Sequence, residues 1–350
     1  MNNDGGKAAM KFGIALDYFD RELSPTRNYE ICREIVIACR EAGFDLVYKG
    51  HHFLESKYVN FQAGPLIARL AADAGEMRLL CADLLSLNQP VRVAEDLATL
   101  DVITGGRAML LGVTGYQSSE FEAFGVPKKQ RGRRVSETYE IVSRLMVGET
   151  VTFHSDCFHL DEVKLGGLLR PVSDPRPPIW VTGHQGKGVQ RAATHGDAWF
   201  ISHQPTLTEL EVQVKEYRDA VAAREPKSFH RHEDHGMRLP LLREAFIAPT
   251  TQRALELSEG PMMAVVQGYM STDQIAELND PEGYARPFDE WRRERAVIGD
   301  PEEVSREIQT YRDALGVDCV VLKIHRAGIP FEDVLEAIRL VGDEVIPAFR

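Results

Sequence analysis

The chain has 350 residues, of which 43% are hydrophobic and 27% are charged, and its formal net charge at pH 7 is −12. This apolar content suits one large domain or two ordinary ones, and it excludes an intrinsically disordered protein. The acidic balance and the lack of a long basic run argue against binding to nucleic acid or to anionic membrane surfaces. No apolar run approaches the ~20 residues that a membrane-spanning helix needs.

The N-terminus and the cysteines indicate the cellular setting. The first residues are mostly polar and contain no apolar core of a signal peptide, so we expect 1–10 to form a disordered tail. Five cysteines are scattered along the chain without a CxxC pair, which is typical of a reduced, cytoplasmic protein. They are Cys32, Cys39, Cys81, Cys157 and Cys319.

Short apolar runs and helix-forming segments alternate along the chain. The predicted strands are 12–16, 45–49, 78–85, 108–113, 178–182, 198–202, 241–248 and 317–324. The predicted helices include one that ends at Gly43, then 65–74, 90–103 and 135–146, one that begins at Val189, and a last one at about 331–345. Proline in the first turn and glycines at the end support the helix at 90–103.

About eight strands alternating with helices predict an α/β fold, a (β/α)₈ barrel over residues 11–350. A doubly wound open sheet is the alternative. Two segments interrupt the alternation as insertions, at about 150–176 and 259–297. The first contains a hairpin signal around Ser155-Asp156. The second follows the seventh strand, where an insertion lies over the barrel mouth, so we expect a lid; a surface excursion without a role is the alternative.

Two adjacent histidines follow the second predicted strand. In a barrel the chemistry lies at the carboxyl ends of the strands, and imidazole titrates near neutral pH, so His51 and His52 are the acid–base candidates. Two half-buried histidines that cap a strand end are the alternative. A metal site would need further ligands that the other strand ends scarcely offer, so we predict none. His230, His232 and His235 are expected to lie in a solvated loop.

The fifth predicted strand breaks into a glycine-rich turn at 183–188, and helix-forming residues follow at once. Backbone amides at the beginning of a helix are unpaired and attract anions. The turn is therefore a candidate phosphate site, with a simple connection between strand and helix as the alternative.

Several motifs occur in a fixed order along nearly the whole chain. They are Gly43-Phe44-Asp45-Leu46-Val47-Tyr48 with His51-His52-Phe53, the run 90–101 followed by Gly105-Gly106-Arg107, Glu120-Phe121 with Phe124-Gly125, the hairpin at 151–160, the run 177–181, and Gly196-Asp197-Ala198-Trp199. In this order and spacing they resemble the luciferase-like flavin monooxygenases, the relatives of bacterial luciferase.

The resemblance implies a (β/α)₈ barrel that binds a reduced flavin, usually FMNH₂, delivered by a separate flavin reductase. Flavin users form a flavin hydroperoxide with O₂ and oxygenate a small organic substrate. The resemblance also implies a homodimer. One alternative is an oxidoreductase of the same fold that uses the deazaflavin F420 and transfers a hydride. A second is a flavin-binding protein without catalysis, and a metal-dependent hydrolase is the remaining one.

The same resemblance assigns roles to individual residues. It places proton transfer on His52 and leaves His51 where relatives carry an acidic residue, so no carboxylate is expected to hold the ring. With a one-residue gap the role passes to His51. It also implies a cis peptide bond between Cys81 and Ala82, under the flavin ring.

For the cofactor, the resemblance places the phosphate at the turn after the fifth strand and Thr114 where many flavin users carry arginine. The implied cofactor-binding residues are Cys81, Ala82, Thr114, Gly183, His184, Gln185, Gly186, Lys187 and Gly188. Basic residues near the mouth keep the longer, acidic tail of F420 in consideration; they are Lys128, Lys129, Arg131, Arg133 and Arg134. Met262, Met263, Tyr269 and Met270 suggest an apolar roof over the substrate, with ordinary packing as the alternative.

Overall fold

The computed structural model describes residues 9–17, 19–225, 237–270 and 280–350. The strands are β1 (Lys11–Ala15), β2 (Leu46–Lys49), β3 (Arg78–Leu84), β4 (Ala108–Val113), β5 (Val151–His154), β6 (His159–Val163), β7 (Ile179–Thr182), β8 (Ala198–Phe200), β9 (Pro240–Ile247), β10 (Ala296–Gly299) and β11 (Cys319–Lys323). None of the helices in these ranges is long and apolar enough to cross a bilayer.

Helices connect the strands in the expected alternation. They are α1 (Pro25–Glu41), α2 (Ala63–Leu70), α3 (Pro90–Ile103), α4 (Ser118–Ala123), α5 (Arg131–Met146), α6 (Gly186–His195), α7 (Leu207–Ala223), α8 (Thr251–Met270), α9 (Phe288–Arg295), α10 (Pro301–Leu315) and α11 (Phe331–Leu340). A short 3₁₀ turn at Lys128–Gln130 precedes α5. Most of the predicted tail, and His230, His232 and His235, lie outside the described residues.

A closed ring of eight parallel strands forms the centre of the protein. The parallel sheet runs in the order β10-β9-β11-β1-β2-β3-β4-β7-β8. The sheet closes into a ring at Ile201, directly after β8, because this residue forms a bridge to Leu241 in β9. The N–H of Ile201 donates to Pro240 O, and its carbonyl accepts from Leu242 N–H, both at 2.9 Å. The ring β1-β2-β3-β4-β7-β8-β9-β11 confirms the predicted (β/α)₈ barrel.

The ninth strand of this sheet, β10, was missed by the sequence patterns. It pairs with the C-terminal half of β9, from Ala296 opposite Glu244 to Gly299 opposite Ile247. The segment 259–297 is therefore not one insertion, because it begins inside α8 and ends in β10. Residues 271–279 of this segment lie outside the described residues, and its action as a lid stays a prediction.

The hairpin is confirmed as a separate antiparallel pair, β5 with β6, in which His154 lies opposite His159. The second strand of the hairpin, β6, begins at His159, because Cys157 and Phe158 belong to the turn. The Ser155 hydroxyl accepts hydrogen bonds from the N–H groups of Cys157 and Phe158, at 3.0 and 3.1 Å, and these bonds keep both residues in the turn.

The side chains of the barrel strands alternate between two apolar layers. In β3, Leu79 and Cys81 pack toward the helices, whereas Leu80 and Ala82 point into the barrel. This arrangement explains why the strands read as continuous apolar runs, since both faces are covered. Cys81 is a buried core residue, and burial raises the pKa of its thiol.

The predicted cis bond between Cys81 and Ala82 is wrong. The one cis peptide bond among the described residues is Asp174–Pro175. Across the Cys81–Ala82 bond, β3 pairs with β4 in unbroken parallel register from Leu79 to Leu84, with Ala82 opposite Leu111. Pairing with β2 ends at Cys81, which lies opposite Lys49. The continuous pairing with β4 keeps the backbone extended and trans at this point.

A partly buried carboxyl group makes barrel stability depend on pH. Burial in α10, with Glu303 one turn away, raises the pKa of Glu307 from 4.5 to about 8. Between these values the unfolded chain has released the proton and the folded protein retains it. The free energy of unfolding therefore falls as the pH rises from about 4.5 to about 8.

We expect Glu307→Gln to remove this dependence. At pH 8 the variant should be more stable than the parent by about 1–3 kcal/mol, allowing for screening at a partly exposed site. At pH 4.5 the two proteins should unfold alike. Urea unfolding at both pH values measures the difference, and an equal gain at both would contradict the assignment to ionisation.

Candidate active site

A cavity of about 670 Å³ lies at the carboxyl ends of the barrel strands. Its wall includes residues that directly follow or end five different strands: Asp17, Gly50, Thr114, Gly183 and Lys323. Because parallel strands converge at this end of a barrel, side chains from distant parts of the chain meet there. The volume is within the range of small-molecule and cofactor sites.

One end of the cavity is strongly basic. Five cationic side chains line it beside the first turn of α6; they are Lys128, Lys129, Arg131, Lys187 and Arg191. We call these residues the basic end. The N–H groups in the first turn of a helix have no carbonyl four residues back, so they add donors to the same place.

The turn between β7 and α6 requires glycine because two backbone segments touch there. A Cβ on Gly183 would lie 2.3 Å from the carbonyl carbon of Gly188, so the two backbones touch and no side chain fits between them. The indole N–H of Trp199 donates to the carbonyl of Gly183 at 3.0 Å and fixes the turn from the next strand. The helix begins at Gly186 instead of the predicted Val189, so Lys187 belongs to its first turn.

A buried ion pair holds β7 in place before this turn. Arg176 is fully buried and forms two hydrogen bonds with the carboxylate of Asp197, at 2.7 and 2.9 Å. The same carboxylate accepts the backbone N–H of Ile179 at 2.7 Å. This geometry gives a structural reason for the Gly196-Asp197-Ala198-Trp199 motif.

His51 is held in place by both ring nitrogens. Its Nδ1–H donates to the carbonyl of Ala82 at 3.1 Å, and its Nε2 lies 2.8 Å from Gln62 Oε1. Burial lowers the pKa of His51, and the contacts with Gln62 and Ala82 oppose this shift. The ring lines the cavity, but its nitrogens are engaged with the protein.

His52 faces the cavity beside a phenol. Its Nε2 lies 3.5 Å from the Tyr116 hydroxyl, and the two rings meet edge to face at 5.5 Å. Burial raises the pKa of Tyr116, which keeps its hydroxyl protonated. Both side chains line the cavity, and the His52 side chain is 21% exposed, twice the 10% of His51.

A buried carboxylate lies next to the His52 ring, contrary to the expectation that no acidic residue contacts it. Glu120 in α4 is fully buried, and its Oε1 lies 3.4 Å from His52 Nδ1. The same oxygen accepts the backbone N–H of Phe53 at 2.7 Å. The acidic residue therefore comes from α4 rather than from the position before the histidine. A sequence pattern confined to β2 and its following loop does not reveal such a contact.

The match to known proteins decides the family. The model of the family described as luciferase-like monooxygenase matches residues 10–318. The chain belongs to the luciferase-like monooxygenase family. This family consists of flavin-dependent monooxygenases and related oxidoreductases, so the protein is an enzyme of that class.

Individual relatives of this luciferase-like protein are distant. The FMNH₂-dependent dimethylsulfone monooxygenase of Pseudomonas putida is 24% identical over 299 residues, which cover 80% of this chain and 76% of the relative. The monooxygenase RslO1 from Streptomyces bottropensis superposes with a TM-score of 0.82 at 23% identity, over 97% of this chain and all of the other.

Two further structures carry different cofactor names. The oxygenating component of 3,6-diketocamphane monooxygenase from Pseudomonas putida, in complex with FMN, has a TM-score of 0.80 at 17% identity over 98% of this chain and 99% of the other. The F420-dependent tetrahydromethanopterin reductase of Methanopyrus kandleri has a TM-score of 0.71 at 19% identity over 98% and 100%. At these identities the likeness shows the shared barrel fold.

The luciferase-like chain brings most of the predicted site residues together. The cavity is lined by His51, His52, Thr114, Gly183, His184, Gln185, Lys187 and Gly188. Burial lowers the pKa of His184 to about 4. Cys81, Ala82 and Gly186 are not among the described lining residues; Cys81 points toward the helices and Ala82 lies within the apolar barrel. Of the expected roof, Tyr269 reaches the cavity, whereas Met262 is buried and Met270 is exposed.

Sequence reasoning missed Asp17, which follows the first barrel strand by two residues, and Lys323, which ends the last barrel strand; both line the cavity. Glu120 was quoted as part of a motif but not as a partner of His52. A possible metal-ligand group lies elsewhere, on the exposed hairpin. There, ligand atoms of His154, His159 and Asp161 lie within 4.8 Å of one another.

Replacing one partner of the buried ion pair should destabilise the protein. We expect Asp197→Asn to lower the free energy of unfolding by about 3–5 kcal/mol, because it leaves the buried guanidinium of Arg176 uncompensated. Asp219→Asn is the matched control, since Asp219 pairs with Lys215 on the surface and an exposed pair contributes under about 1 kcal/mol. Equal losses in urea unfolding would contradict the structural role of Asp197.

Proposed function

We propose that the protein is a reduced-flavin-dependent monooxygenase that binds FMNH₂ and oxygenates a small organic substrate with O₂. With FMNH₂ as the source of two electrons, one oxygen atom enters the substrate and the other leaves as water. The observation that carries the proposal is the basic end, where a helix N-terminus, a contact between two glycines and five cations meet in one cavity.

The basic end fits the phosphate of a flavin nucleotide. The close approach of Gly183 and Gly188 leaves the backbone amides of the turn without covering side chains. A Cβ on Gly132 would likewise lie 2.7 Å from a terminal nitrogen of Arg191, so glycine there leaves room for that guanidinium. Lys187 and Arg191 are one helical turn apart in α6, so they flank one anion from one side.

His52 is the residue of this chain that we assign to proton transfer. Its Nε2 and the Tyr116 hydroxyl both face the cavity, and Glu120 and Gln117 hold the opposite nitrogen. When Nδ1 carries a proton it faces the Glu120 carboxylate at 3.4 Å, and when it does not it accepts from the Gln117 amide at 3.2 Å. A proton can pass between the imidazole and a ligand at the Tyr116 side. His51 supports the loop through Ala82 and Gln62.

The sequence lacks the GxGxxG fingerprint of a dinucleotide-binding unit. We therefore propose that a separate flavin reductase supplies FMNH₂. We also propose a homodimer and a cytoplasmic location, as the resemblance to this family implies.

A second candidate function is F420-dependent hydride transfer, and the charge of the basic end favours it. One phosphate monoester carries up to about two negative charges at pH 7. Five cations line the basic end, so some of them remain for a longer acidic tail. A flavin-binding protein without catalysis is the third candidate.

Cofactor titration of variants distinguishes the first two candidates. We expect Lys187→Met to weaken FMNH₂ binding about 10-fold or more, because a hydrogen bond to a charged group is lost. The double change Lys128→Met and Lys129→Met should leave FMNH₂ affinity within about threefold, since Lys128 donates to the Ser118 hydroxyl at 3.1 Å and neither residue belongs to the first turn of α6.

The titration is run anaerobically, with calorimetry for FMNH₂ and F420 in parallel. Lys215→Met is the matched control, because Lys215 is an exposed lysine on α7 outside the cavity. Preference for F420, together with a large loss in the Lys128/Lys129 variant, would replace monooxygenation by hydride transfer.

Proton transfer is tested through the reaction of bound FMNH₂ with O₂, which needs no known substrate. We expect His52→Gln to slow reoxidation of the bound flavin at least about 10-fold, since positioned general acids contribute about 10²–10⁴-fold. His51→Gln should change it less than about threefold. Stopped-flow absorbance follows the rate, with FMNH₂ affinity as the control for intact binding. An equal effect of both substitutions would contradict the assignment to His52.

A further inference from the structure

A network of buried charges lies on the other side of the barrel from the basic end. It consists of Asp17, Lys49, Glu244, Lys323 and Arg326, and we call it the charged wall. In the ring order, β1 and β11 lie opposite β7 and β4, four strands away in either direction. The cavity therefore runs across the barrel mouth from the basic end to the charged wall, where Asp17 and Lys323 line it.

The charged wall holds three cations against two carboxylates. Lys323 Nζ lies 3.7 Å from Asp17 and 3.4 Å from Glu244. Asp17 is shared with Lys49 at 3.8 Å, and Glu244 forms a close pair with Arg326. Burial alone would raise the pKa of Asp17, but Lys323 and Lys49 outweigh it and hold that pKa below its usual value.

Lys323 thus contacts both carboxylates of the charged wall, and each of these carboxylates also contacts a second cation, Lys49 or Arg326. It is also the one cation of the charged wall that lines the cavity. A charge in a buried site is costly unless other charges or hydrogen bonds compensate it. Because Lys323 lines the cavity, an anionic group of a ligand can contact its ammonium group directly.

His203 adds a buried polar group beside this cation. The residue is 5% exposed and lines the cavity. Its Nε2 lies 3.6 Å from Glu244 Oε1, and neither ring nitrogen has a partner within hydrogen-bond distance among the described residues. Its ring packs against Tyr269 at 5.6 Å. Burial and the nearby Lys323 and Arg326 lower the pKa of His203, so the neutral ring keeps one N–H to donate.

Apolar side chains line the cavity between its two polar ends. Tyr48, Phe200 and Leu242 point from three strands into the barrel and line the cavity. The rings of Tyr48 and Phe200 lie 5.0 Å apart. A ligand that reaches the charged wall therefore passes an apolar surface, which fits a compound with a hydrophobic body and one anionic group.

We propose that Lys323 and His203 form a subsite for an oxyanion of the substrate, so that the enzyme acts on small organic acids with an apolar body. The oxyanion is a carboxylate or sulfonate that accepts hydrogen bonds from Lys323 Nζ and from the His203 ring. This inference rests on the proposed function in that the flavin phosphate takes the basic end and the substrate takes the opposite end. The other source of an oxyanion at this place is the ring of the reduced flavin itself.

The test uses calorimetry on the full chain with benzoate and benzenesulfonate, and with benzamide and benzenesulfonamide as neutral isosteres. Saturating inorganic phosphate fills the basic end during these titrations. We expect one or both anions to bind at least about 10-fold more tightly than the matching amide. Saturable binding by neither anion, or equal affinity for anion and amide, would overturn the proposal.

Variants assign the binding to the subsite. Lys323→Met and His203→Phe should each weaken anion binding about 10- to 100-fold, as expected for a lost hydrogen bond to a charged group. Lys49→Met is the matched control, because it removes the same charge from the charged wall without lining the cavity. His203→Phe leaves the charge count unchanged, so it serves if Lys323→Met does not fold. Equal losses in Lys49→Met and Lys323→Met would overturn the proposal in favour of a general charge effect.

A final titration separates the two sources of the oxyanion. Anion binding is repeated anaerobically with FMNH₂ in place of phosphate. Retained binding supports the substrate subsite, whereas competition between FMNH₂ and the anion would overturn it and give Lys323 to the cofactor. If FMNH₂ fails to bind while the anion binds through Lys323 and His203, the flavin proposal fails and the oxyanion subsite stands.

Discussion

Two backbone hydrogen bonds at Ile201 close the barrel, and every other feature of the site depends on that closure. They join β8 to β9 and turn an open sheet into a ring. A ring of parallel strands has one mouth at which all carboxyl ends converge. Closure also sets which ends face each other across the mouth, so the basic end and the charged wall are separated by the full width of the barrel.

The interior of this ring is apolar below the mouth, and polar groups gather above it. Trp180, Met109 and Leu111 fill the barrel, Lys323 is the last residue of β11, and Asp17 and the loop histidines come after their strands end. Polar groups that follow a strand no longer have to pack against a layer of helices. The price of burying the charged wall is reduced by mutual pairing, since each carboxylate contacts two cations.

Local patterns in the sequence were sufficient for the elements of the barrel. Alternating apolar runs and helix signals place α3 and β4 at their observed bounds, and the glycine-rich turn after β7 lies where it was expected. These features depend on neighbouring residues, for which periodicity and turn chemistry are direct signals. The strand β10 is only four residues long and directly follows a charged helix, so its pattern is too short to recognise.

Contacts between distant residues could not be derived in the same way. Glu120 reaches the loop of His52 and Phe53 across 67 residues of sequence, and no spacing rule connects them. The pairing of Asp17 with Lys323 joins the two ends of the chain through the register of β1 and β11. The prediction of a cis bond was wrong because it came from likeness to other proteins, whereas β3 in this chain pairs with β4 in regular register across that bond.

The residues of the two polar ends of the cavity lie in different structural contexts, and this difference determines how freely each end can change. Lys128, Lys129 and Arg131 lie on a 3₁₀ turn and the first residue of α5, outside the buried core. Surface substitutions of this kind change the free energy of unfolding by about 0.5 kcal/mol or less, so the charges at the cavity mouth can change while the protein still folds. Glu244 and Lys323 are strand residues whose replacement disturbs the barrel. The charges of the basic end can thus change far more readily than the charges at the opposite end.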